Sequence, residues 1–156
     1  MKPKKRTSLD LPACYEVQVH YKRPLFNSEK KITNSQDADA LLKEFADLKR
    51  IDHKEFFWVI LLTNANQVIG VSEVSIGSTR GVVTNYKEIL QLALLTNASA
   101  IIVAHNHPSG KLKPSDTDHN VSVELKRVSK VLDIDLIDHI IITSEGYYSF
   151  SDNNLL

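Results

Sequence analysis

Two short segments of this sequence, residues 56–63 and 100–104, are apolar almost throughout. Short apolar runs of this kind, bounded by turn residues, are typical of strands that are buried on both faces. Strands buried in this way need a layer of other elements on each side of the sheet. The sequence therefore predicts an α/β fold in which helices pack on a central sheet.

Three other segments repeat apolar residues at helical spacing, and each begins near a residue type that caps helices. The predicted helices extend from Asn34 to Leu48, from Asn85 to Asn97 and from Pro114 to Leu132. Further strands are predicted over residues 15–19, 68–76, 136–143 and 147–150, and a turn at 64–66 joins the run 56–63 to 68–76 as a hairpin. Because strands alternate with helices, we expect the sheet to be at least partly parallel.

The composition restricts the class and the setting of the protein. The chain has 156 residues, 42% of them hydrophobic and 24% charged, so we expect one domain over residues 11–156 after a flexible tail of residues 1–10. The single cysteine, Cys14, excludes a disulfide framework and a Cys-rich zinc ribbon, which favours the cytoplasm. Apolar runs are too short to span a membrane, so no membrane partner is expected.

The charges balance, with 19 basic and 19 acidic residues, so the whole chain has no electrostatic preference for nucleic acid. The one local excess is basic, because Lys2, Lys4, Lys5 and Arg6 crowd the start of the chain. Such a tail can make weak contacts with DNA, or it can remain a solvated, frayed terminus. Both interpretations stay open, and the oligomeric state is not predicted.

Two histidines follow the second apolar run directly and suggest a metal site. His105 and His107 are two residues apart, so at the end of an extended segment their side chains leave on the same side. The turn residues after them allow Asp118, near the start of the third helix, to approach. Two imidazoles and one carboxylate around zinc leave a fourth position open for water, as in catalytic sites. Nitrogen ligands also make magnesium and calcium poor candidates.

Each part of this pattern also has a simpler interpretation. An isolated His-x-His sequence is common among surface residues, and Ser115 and Asp118 alone form a capping box at the start of a helix. A capping box does not account for the two histidines that precede it, whereas a metal site uses all three ligands together. In an enzyme, Ser115 would also be a candidate donor to a developing oxyanion.

The string HNHPSGKLKPSDTD, which begins at His105, contains His-x-His, seven residues, a serine, two residues and an aspartate. This spacing is the signature of the JAMM class of metallopeptidases, and its fuller form resembles the RadC branch of that class. The resemblance extends over roughly residues 55–150, from before Glu73 to the strands predicted last. It is specific, because the serine and all three ligands match.

The resemblance implies a three-layer α/β/α fold with a central mixed sheet, the JAB/MPN fold, which is similar to that of cytidine deaminases. It also implies a zinc ion (Zn²⁺) and hydrolysis of a peptide or isopeptide substrate, as in relatives that remove ubiquitin-like tags. In this class a glutamate on an early strand is the general base, and Glu73 occupies the matching place. From the residues alone, Glu73 is also compatible with an exposed position on a strand.

Other functions compete with this one. The RadC branch carries a DNA-repair association, and its longer members have an N-terminal helix-hairpin-helix segment. The first part of this chain predicts a strand and a helix instead, so a DNA-processing or scaffold role without peptidase activity is the alternative. A zinc nucleobase deaminase needs more cysteines than the single one present. A non-haem iron oxygenase would use the same two histidines and one carboxylate.

Asp138 and His139 form a further polar pair within the strand predicted over residues 136–143. Because successive side chains of a strand point to opposite faces, we do not expect the two residues to share a catalytic role. One of them is expected to be an indirect partner of the metal site.

Overall fold

The computed structural model of the protein describes residues 30–77 and 84–156. Three helices and five strands follow one another in these residues. The elements are α1 (Ser35–Phe45), β1 (Phe56–Leu62), β2 (Val68–Ile76), α2 (Tyr86–Leu95), β3 (Ala100–Asn106), α3 (Asp116–Lys130), β4 (Asp135–Ile142) and β5 (Tyr147–Ser149). The predicted tail of residues 1–10, Cys14 and the predicted strand 15–19 lie outside the described residues.

The five strands form one mixed sheet in the order β2-β1-β3-β4-β5. β1 and β2 form the predicted hairpin, and β1 also pairs antiparallel with β3. Among the described strands, β3 and β4 are the parallel pair, and α3 connects them. β5 pairs antiparallel with β4 at the edge of the sheet. The sheet is therefore partly parallel, as the alternation of strands and helices predicts.

Helices cover both faces of the sheet and divide the apolar core into two parts. On one side, which we call the α1 face, Leu42 of α1 packs in a buried cluster with Trp58 of β1. On the other side, the α3 face, Ile89 of α2 and Leu125 of α3 pack in a second cluster with Val103 of β3. Burial of these apolar side chains is the main source of stability for such a sandwich. This is the predicted three-layer α/β/α arrangement.

The helices begin where their caps predict, but all three end earlier than predicted, α2 at Leu95 instead of Asn97. Asn34 caps α1, which ends at Phe45 and not at Leu48 because Ala46 adopts an extended backbone conformation. Leu48 is 49% exposed, so its apolar spacing reflects no helical packing. α3 likewise ends before Leu132, in the turn that leads into β4. None of the described helices is long and apolar enough to cross a membrane.

β4 has one residue more than β3 over the stretch where these two strands pair. Ile101 of β3 pairs with Leu136, and the next β3 residue pairs with Asp138, so Ile137 is an extra residue in β4. The irregularity changes the alternation of side chains along the strand. As a result, His139 lies on the α3 face, as Leu136 does.

Candidate metal centre

The three predicted ligands lie at the end of β3 and at the start of α3. β3 is buried along its whole length, and His105 is its last residue but one. After His107, Gly110 has a φ of +74°, a left-handed conformation that glycine adopts without strain, and its amide donates to the His107 carbonyl at 3.0 Å. This turn returns the chain to the end of β3, with Asp118 in the first turn of α3.

The nitrogen and oxygen atoms of these three side chains converge. His105 Nε2 lies 3.0 Å from His107 Nε2 and 3.2 Å from Asp118 Oδ1. His107 Nε2 lies 3.5 Å from Asp118 Oδ2. His105 and Asp118 are buried, whereas His107 is partly exposed. Within the described residues, the three side chains form a group that could hold a metal ion, because their ligand atoms lie within 4.8 Å of one another.

The charges in this group depend on one another. Burial alone would raise the pKa of the Asp118 carboxyl, but hydrogen bonds from His105 and His107 hold that pKa well below its ordinary value. The hydrogen bond to Asp118 raises the pKa of His107 above 6.5, although burial opposes the shift. Asp118 is therefore a carboxylate at neutral pH, and it attracts either a proton on His107 or a metal cation.

The surrounding hydrogen bonds leave the ligand atoms free for a cation. His107 Nδ1 lies 2.7 Å from the carbonyl oxygen of Lys111 and must donate to it, because a carbonyl can only accept. The neutral ring of His107 therefore has its lone pair on Nε2. A proton between His107 and Asp118 bonds to only two of the three side chains, whereas a cation at the centre of the group would contact all three. Nitrogen and oxygen ligands of this kind suit a transition metal or zinc.

Ser115 is the N-cap of α3 and also holds Asp118 in place. Its hydroxyl accepts a hydrogen bond from the Asp118 amide at 3.2 Å. The hydroxyl and the amide of Ser115 each donate to Asp118 Oδ2 at 2.7 Å. The predicted capping box is therefore present. Because these donors occupy Oδ2, Oδ1 is the oxygen that is better placed to bind a metal.

His139 is the indirect partner of the group. Its Nε2 lies 2.9 Å from His105 Nδ1, and its Nδ1 lies 2.7 Å from Ser122 Oγ. The ring is completely buried and stacks on Phe150, with the ring centroids 4.6 Å apart. Burial lowers the pKa of His139 well below 6.5, so its ring is neutral at neutral pH.

Asp138 lies on the other side of the sheet from this group, in agreement with the predicted alternation. Its carboxylate accepts hydrogen bonds from the hydroxyl of Ser149 at 2.6 Å and from the amide of Ser151 at 3.0 Å. Asp138 also borders a cavity together with residues of α1, such as Ser35. The sheet separates Asp138 from His105, so the two do not act together.

The structure does not bring Glu73 to the metal ligands, and this part of the sequence prediction is corrected. Glu73 pairs with Trp58, whose side chain packs on the α1 face. Its neighbour Val74 is buried on the α3 face, so the side chain of Glu73 points the other way, and Glu73 is exposed. The early-strand glutamate suggested by the family resemblance is therefore on the wrong side of the sheet.

The carboxylate that lines the pocket of the metal group is Glu55, which immediately precedes β1. Phe57, two residues later, pairs with His105, and this spacing puts Glu55 on the same face as His105. Burial raises the pKa of Glu55, while the charges of His105 and His107 oppose the shift. The sequence signal for Glu55 was its position two residues before Phe57, whose side chain lies on the α3 face. This signal is hidden in the sequence, because β1 is apolar throughout and does not show which residues face which side.

Asn106, between the two histidines, is the other residue that the sequence analysis did not assign. Its side chain is completely buried, and its Oδ1 accepts a hydrogen bond from the Phe56 amide at 2.7 Å. Its Nδ2 donates to the carbonyls of Ile51 and Lys54 at 2.5 and 2.7 Å. These bonds fix the backbone on both sides of Glu55. An amide side chain between the two histidines, at the end of an apolar run, was the available signal.

Glu55, His107 and Ser115 line one pocket of about 170 Å³. Pockets that enclose drug-sized ligands are larger, about 300–1,000 Å³. The size therefore suits one functional group of a substrate, with the rest of the substrate outside.

Comparison with known proteins identifies the family. The family model described as a RadC-like JAB domain matches residues 32–155. Relatives named UPF0758 protein include those of Flavobacterium johnsoniae, 37% identical over 81% of this chain and 54% of the relative, and Chlorobium phaeovibrioides, 37% identical over 96% of this chain and 65% of the relative. The relative from Clostridium tetani is 41% identical over 92% of this chain and 62% of its own length.

The chain spans between about half and two thirds of the length of these relatives. Their names give no activity, whereas the family model covers both histidines, Asp118, Ser115 and Glu55. The fold with its mixed sheet, the grouped ligands and this match agree with one another. The chain therefore belongs to the family of RadC-like JAB domains.

Proposed function

We propose that this protein is a zinc-dependent hydrolase of the JAMM class that cleaves peptide or isopeptide bonds. The proposal rests on the ligand atoms of His105, His107 and Asp118: the two Nε2 atoms are 3.0 Å apart, His105 Nε2 is 3.2 Å from Asp118 Oδ1, and all three atoms lie within 4.8 Å of one another. Ligands placed tetrahedrally at about 2.0–2.2 Å from zinc are roughly 3.3–3.6 Å apart, close to these separations. Three protein ligands also leave one position open, as in catalytic zinc sites.

Zinc bound there would lower the pKa of a water molecule and polarise the carbonyl of the substrate. His105 and His107 supply the nitrogen ligands and Asp118 the carboxylate. A non-haem iron oxygenase uses the same ligand types, so the metal itself must be identified. Metal analysis of protein purified under anaerobic conditions distinguishes zinc from iron.

We assign the role of general base to Glu55 instead of Glu73. Glu55 borders the pocket, and burial moves its pKa upward, toward the range in which general acid–base catalysts work best. In the proposed reaction, Glu55 accepts the proton of the attacking water and delivers it to the leaving amine. Asn106 supports this role, because its hydrogen bonds to Lys54 and Phe56 hold the backbone on either side of Glu55.

Ser115 is the proposed donor to the oxyanion that develops on the substrate carbonyl. Its hydroxyl now donates to Asp118 Oδ2, and its amide donates to the same oxygen. If the hydroxyl turns toward the substrate, the amide still holds the carboxylate of Asp118. Ser115 can therefore change partners without releasing a metal ligand.

Location and partners belong to the same proposal. A cytoplasmic location fits a chain with Cys14 as its single cysteine. The identity of the peptide or isopeptide substrate stays open. Weak DNA contact through residues 1–10 stays a prediction, because that segment lies outside the described residues. A DNA-processing role without peptidase activity is the alternative, and no feature of the described residues favours it.

Metal content is the first test. Purified wild-type protein should bind about one zinc ion per chain, because the three ligands form a single site. His105→Ala and His107→Ala should each lower zinc occupancy sharply, since each removes a ligand. His53→Ala is the matched control, because His53 is exposed and lies outside the ligand group. If wild-type protein binds no zinc, or if the ligand variants bind as much as the control, the proposal is wrong.

Hydrolysis is the second test. Libraries of peptides and isopeptides are incubated with zinc-loaded protein, and the products are identified by mass spectrometry. We expect cleavage that stops after chelation and returns when zinc is added. His107→Ala, purified in the same way, is the blank for contaminating proteases. Equal cleavage by wild type and blank would exclude the protein as the source of the activity.

A further inference from the structure

We propose that Ser122 and His139 form a hydrogen-bond relay that fixes His105 in the tautomer whose Nε2 is free to bind metal. The inference rests on the proposed metal site and adds two positioning residues to it. Neither Ser122 nor His139 belongs to the ligand group itself. Both act through the ring of His105.

The relay is a continuous chain of hydrogen bonds from α3 through β4 to β3. Ser122 Oγ lies 3.0 Å from the carbonyl oxygen of Asp118 and 2.7 Å from His139 Nδ1. His139 Nε2 lies 2.9 Å from His105 Nδ1. Ser122, His139 and His105 are at most 1% exposed, so their polar atoms depend on one another for hydrogen bonds.

The chemistry of the groups sets the direction of the relay. The Ser122 hydroxyl donates its single proton to the carbonyl of Asp118, which can only accept. Ser122 Oγ then accepts from His139 Nδ1–H, and the neutral His139 ring has its lone pair on Nε2. That lone pair accepts from His105 Nδ1–H. His105 Nε2 is then free to bind a metal, in place of its hydrogen bond to Asp118 Oδ1 3.2 Å away.

The opposite direction would disable the site. Ser122 would donate to His139 Nδ1, and His139 Nε2–H would donate to His105 Nδ1. His105 would then carry its proton on Nε2, the atom that a metal must bind. The Asp118 carbonyl would also lose its bond from the Ser122 hydroxyl. Ser122 therefore has a role that no apolar residue of similar size could fill.

Aromatic rings hold His139 in the orientation that the relay requires. The Phe150 ring stacks on it at an interplanar angle of 16°, and the Phe57 ring lies 6.0 Å away, centroid to centroid. Phe57 is also nearly parallel to His105, at 5°. Because these rings confine the imidazole, His139 cannot exchange its two nitrogens without breaking both hydrogen bonds.

The two histidine ligands are thus oriented differently. His107 donates from Nδ1 to a backbone carbonyl, that of Lys111, which can only accept. His105 donates to His139, whose ring nitrogens can each accept or donate. A further residue, Ser122, is therefore needed to set the tautomer of His139. Mutation of a residue that hydrogen-bonds to a metal-binding histidine typically lowers metal affinity by about 10–100-fold. We expect an effect of this size from the relay.

Zinc affinity of the full chain, measured by competition with a chromophoric chelator, tests the relay. Ser122→Ala and His139→Phe should each bind Zn²⁺ about 10–100-fold more weakly than wild type. The phenyl ring is suited to the aromatic surroundings of His139 but leaves His105 Nδ1–H without an acceptor. Ser122→Thr and His139→Gln retain a hydroxyl and an acceptor, and they should recover most of the affinity.

Ser129→Ala is the matched control for Ser122→Ala. Ser129 also lies on α3, is 0% exposed, and donates from its hydroxyl to a backbone carbonyl, that of Lys126, at 3.4 Å. It is outside the relay, so its removal should leave zinc affinity unchanged. Thermal unfolding of the metal-free variants separates a local loss of affinity from a general loss of fold.

The protonated nitrogen of His139 is the second readout, observed by ¹⁵N NMR of zinc-loaded wild type. The relay predicts a proton on Nδ1 and none on Nε2. A proton on His139 Nε2 would overturn the inference, and so would Ser122→Ala and His139→Phe variants that bind zinc as tightly as Ser129→Ala. Wild-type protein that binds no zinc would instead refute the proposed function, so the two failures are distinguishable.

Discussion

The side chain of Asn106 accepts a hydrogen bond from the backbone amide of Phe56 at 2.7 Å, and this bond joins the strand of the ligands to the start of β1. The same side chain donates to the carbonyls of Ile51 and Lys54. Asn106 thus connects the metal group on one side of it with the segment that carries Glu55 on the other. One amide side chain sets the position of the proposed base relative to the ligands.

Asn106→Ala should destabilise the protein and slow turnover more than it weakens zinc binding. The substitution leaves the Phe56 amide and two carbonyls without their partner in a buried place, and each unsatisfied group costs about 1–3 kcal/mol. Denaturant unfolding, zinc titration and turnover are measured together. Asn120→Ala, at an exposed position of α3, is the control. Unchanged stability and turnover in Asn106→Ala would show that the segment before β1 does not depend on this side chain.

Glu55→Gln should retain the fold and zinc but lose roughly 10²-fold or more in turnover, because the amide occupies the same space and cannot accept a proton. Glu73→Gln is the matched control, since Glu73 is an exposed glutamate on the opposite face of the sheet. Turnover and zinc content are measured for both variants. If Glu73→Gln is slow and Glu55→Gln turns over normally, Glu73 is the general base after all. If Glu55→Gln loses zinc, Glu55 is a metal ligand.

Ser115→Ala separates the capping role of Ser115 from the proposed oxyanion role. Loss of the cap costs about 1 kcal/mol of stability, whereas loss of an oxyanion donor costs about 10²-fold or more in turnover. We expect both effects, because the hydroxyl caps α3 and borders the pocket. Asn34→Ala removes the cap of α1, away from the pocket, and should lower stability alone. If Ser115→Ala is equally fast as wild type with the same zinc content, Ser115 is a helix cap only.

Zinc affinity should rise with pH through the raised pKa of His107. In the metal-free protein this pKa lies above the ordinary 6.5 because of the bond to Asp118. The proton on His107 therefore stabilises the metal-free fold below pH 6.5, and this contribution is lost as pH rises through the folded pKa. Zinc must displace that proton, so its affinity increases by about tenfold per pH unit until the ring is neutral, and then levels off.

Calorimetric titration in two buffers of different ionisation enthalpy counts the protons that zinc releases. We expect about one proton per zinc just above pH 6.5 and fewer at higher pH. His53→Ala should release the same number as wild type, because His53 lies outside the group. An affinity that does not change with pH in this range would mean that His107 is already neutral in the metal-free protein.

The sequence predicts the ligand group well because its three members lie close together along the chain. His105 lies at the end of a buried strand and His107 just after it, and Ser115 marks the start of the helix that carries Asp118. Local rules of alternation and capping therefore place all four residues. The same rules predict the helix starts, for example at Asn34, whose side chain accepts from the Asp37 amide. Tertiary packing alters little in such short-range features.

Glu55 and the face of Glu73 could not be predicted in the same way, because each depends on strand pairing. β1 is buried on both faces, so no alternation of polar and apolar residues marks the side toward which Glu55 points. A register shift between Phe57 and Trp58 then changes how β2 lies against β1. The face on which Glu73 lies follows from this long-range pairing, and its sequence neighbours Ser72 and Val74 gave no indication of it.

The extra residue in β4 makes the length of that strand as important as its composition. Because Ile137 is an additional residue in the pairing with β3, Leu136 and His139 face the same side although they are three positions apart. Removing Ile137 would leave the two residues two positions apart and still on the same side, whereas removing a residue after His139 would turn the end of the strand over. Within the family, a one-residue deletion should therefore be tolerated at the position of Ile137 and selected against in the rest of β4.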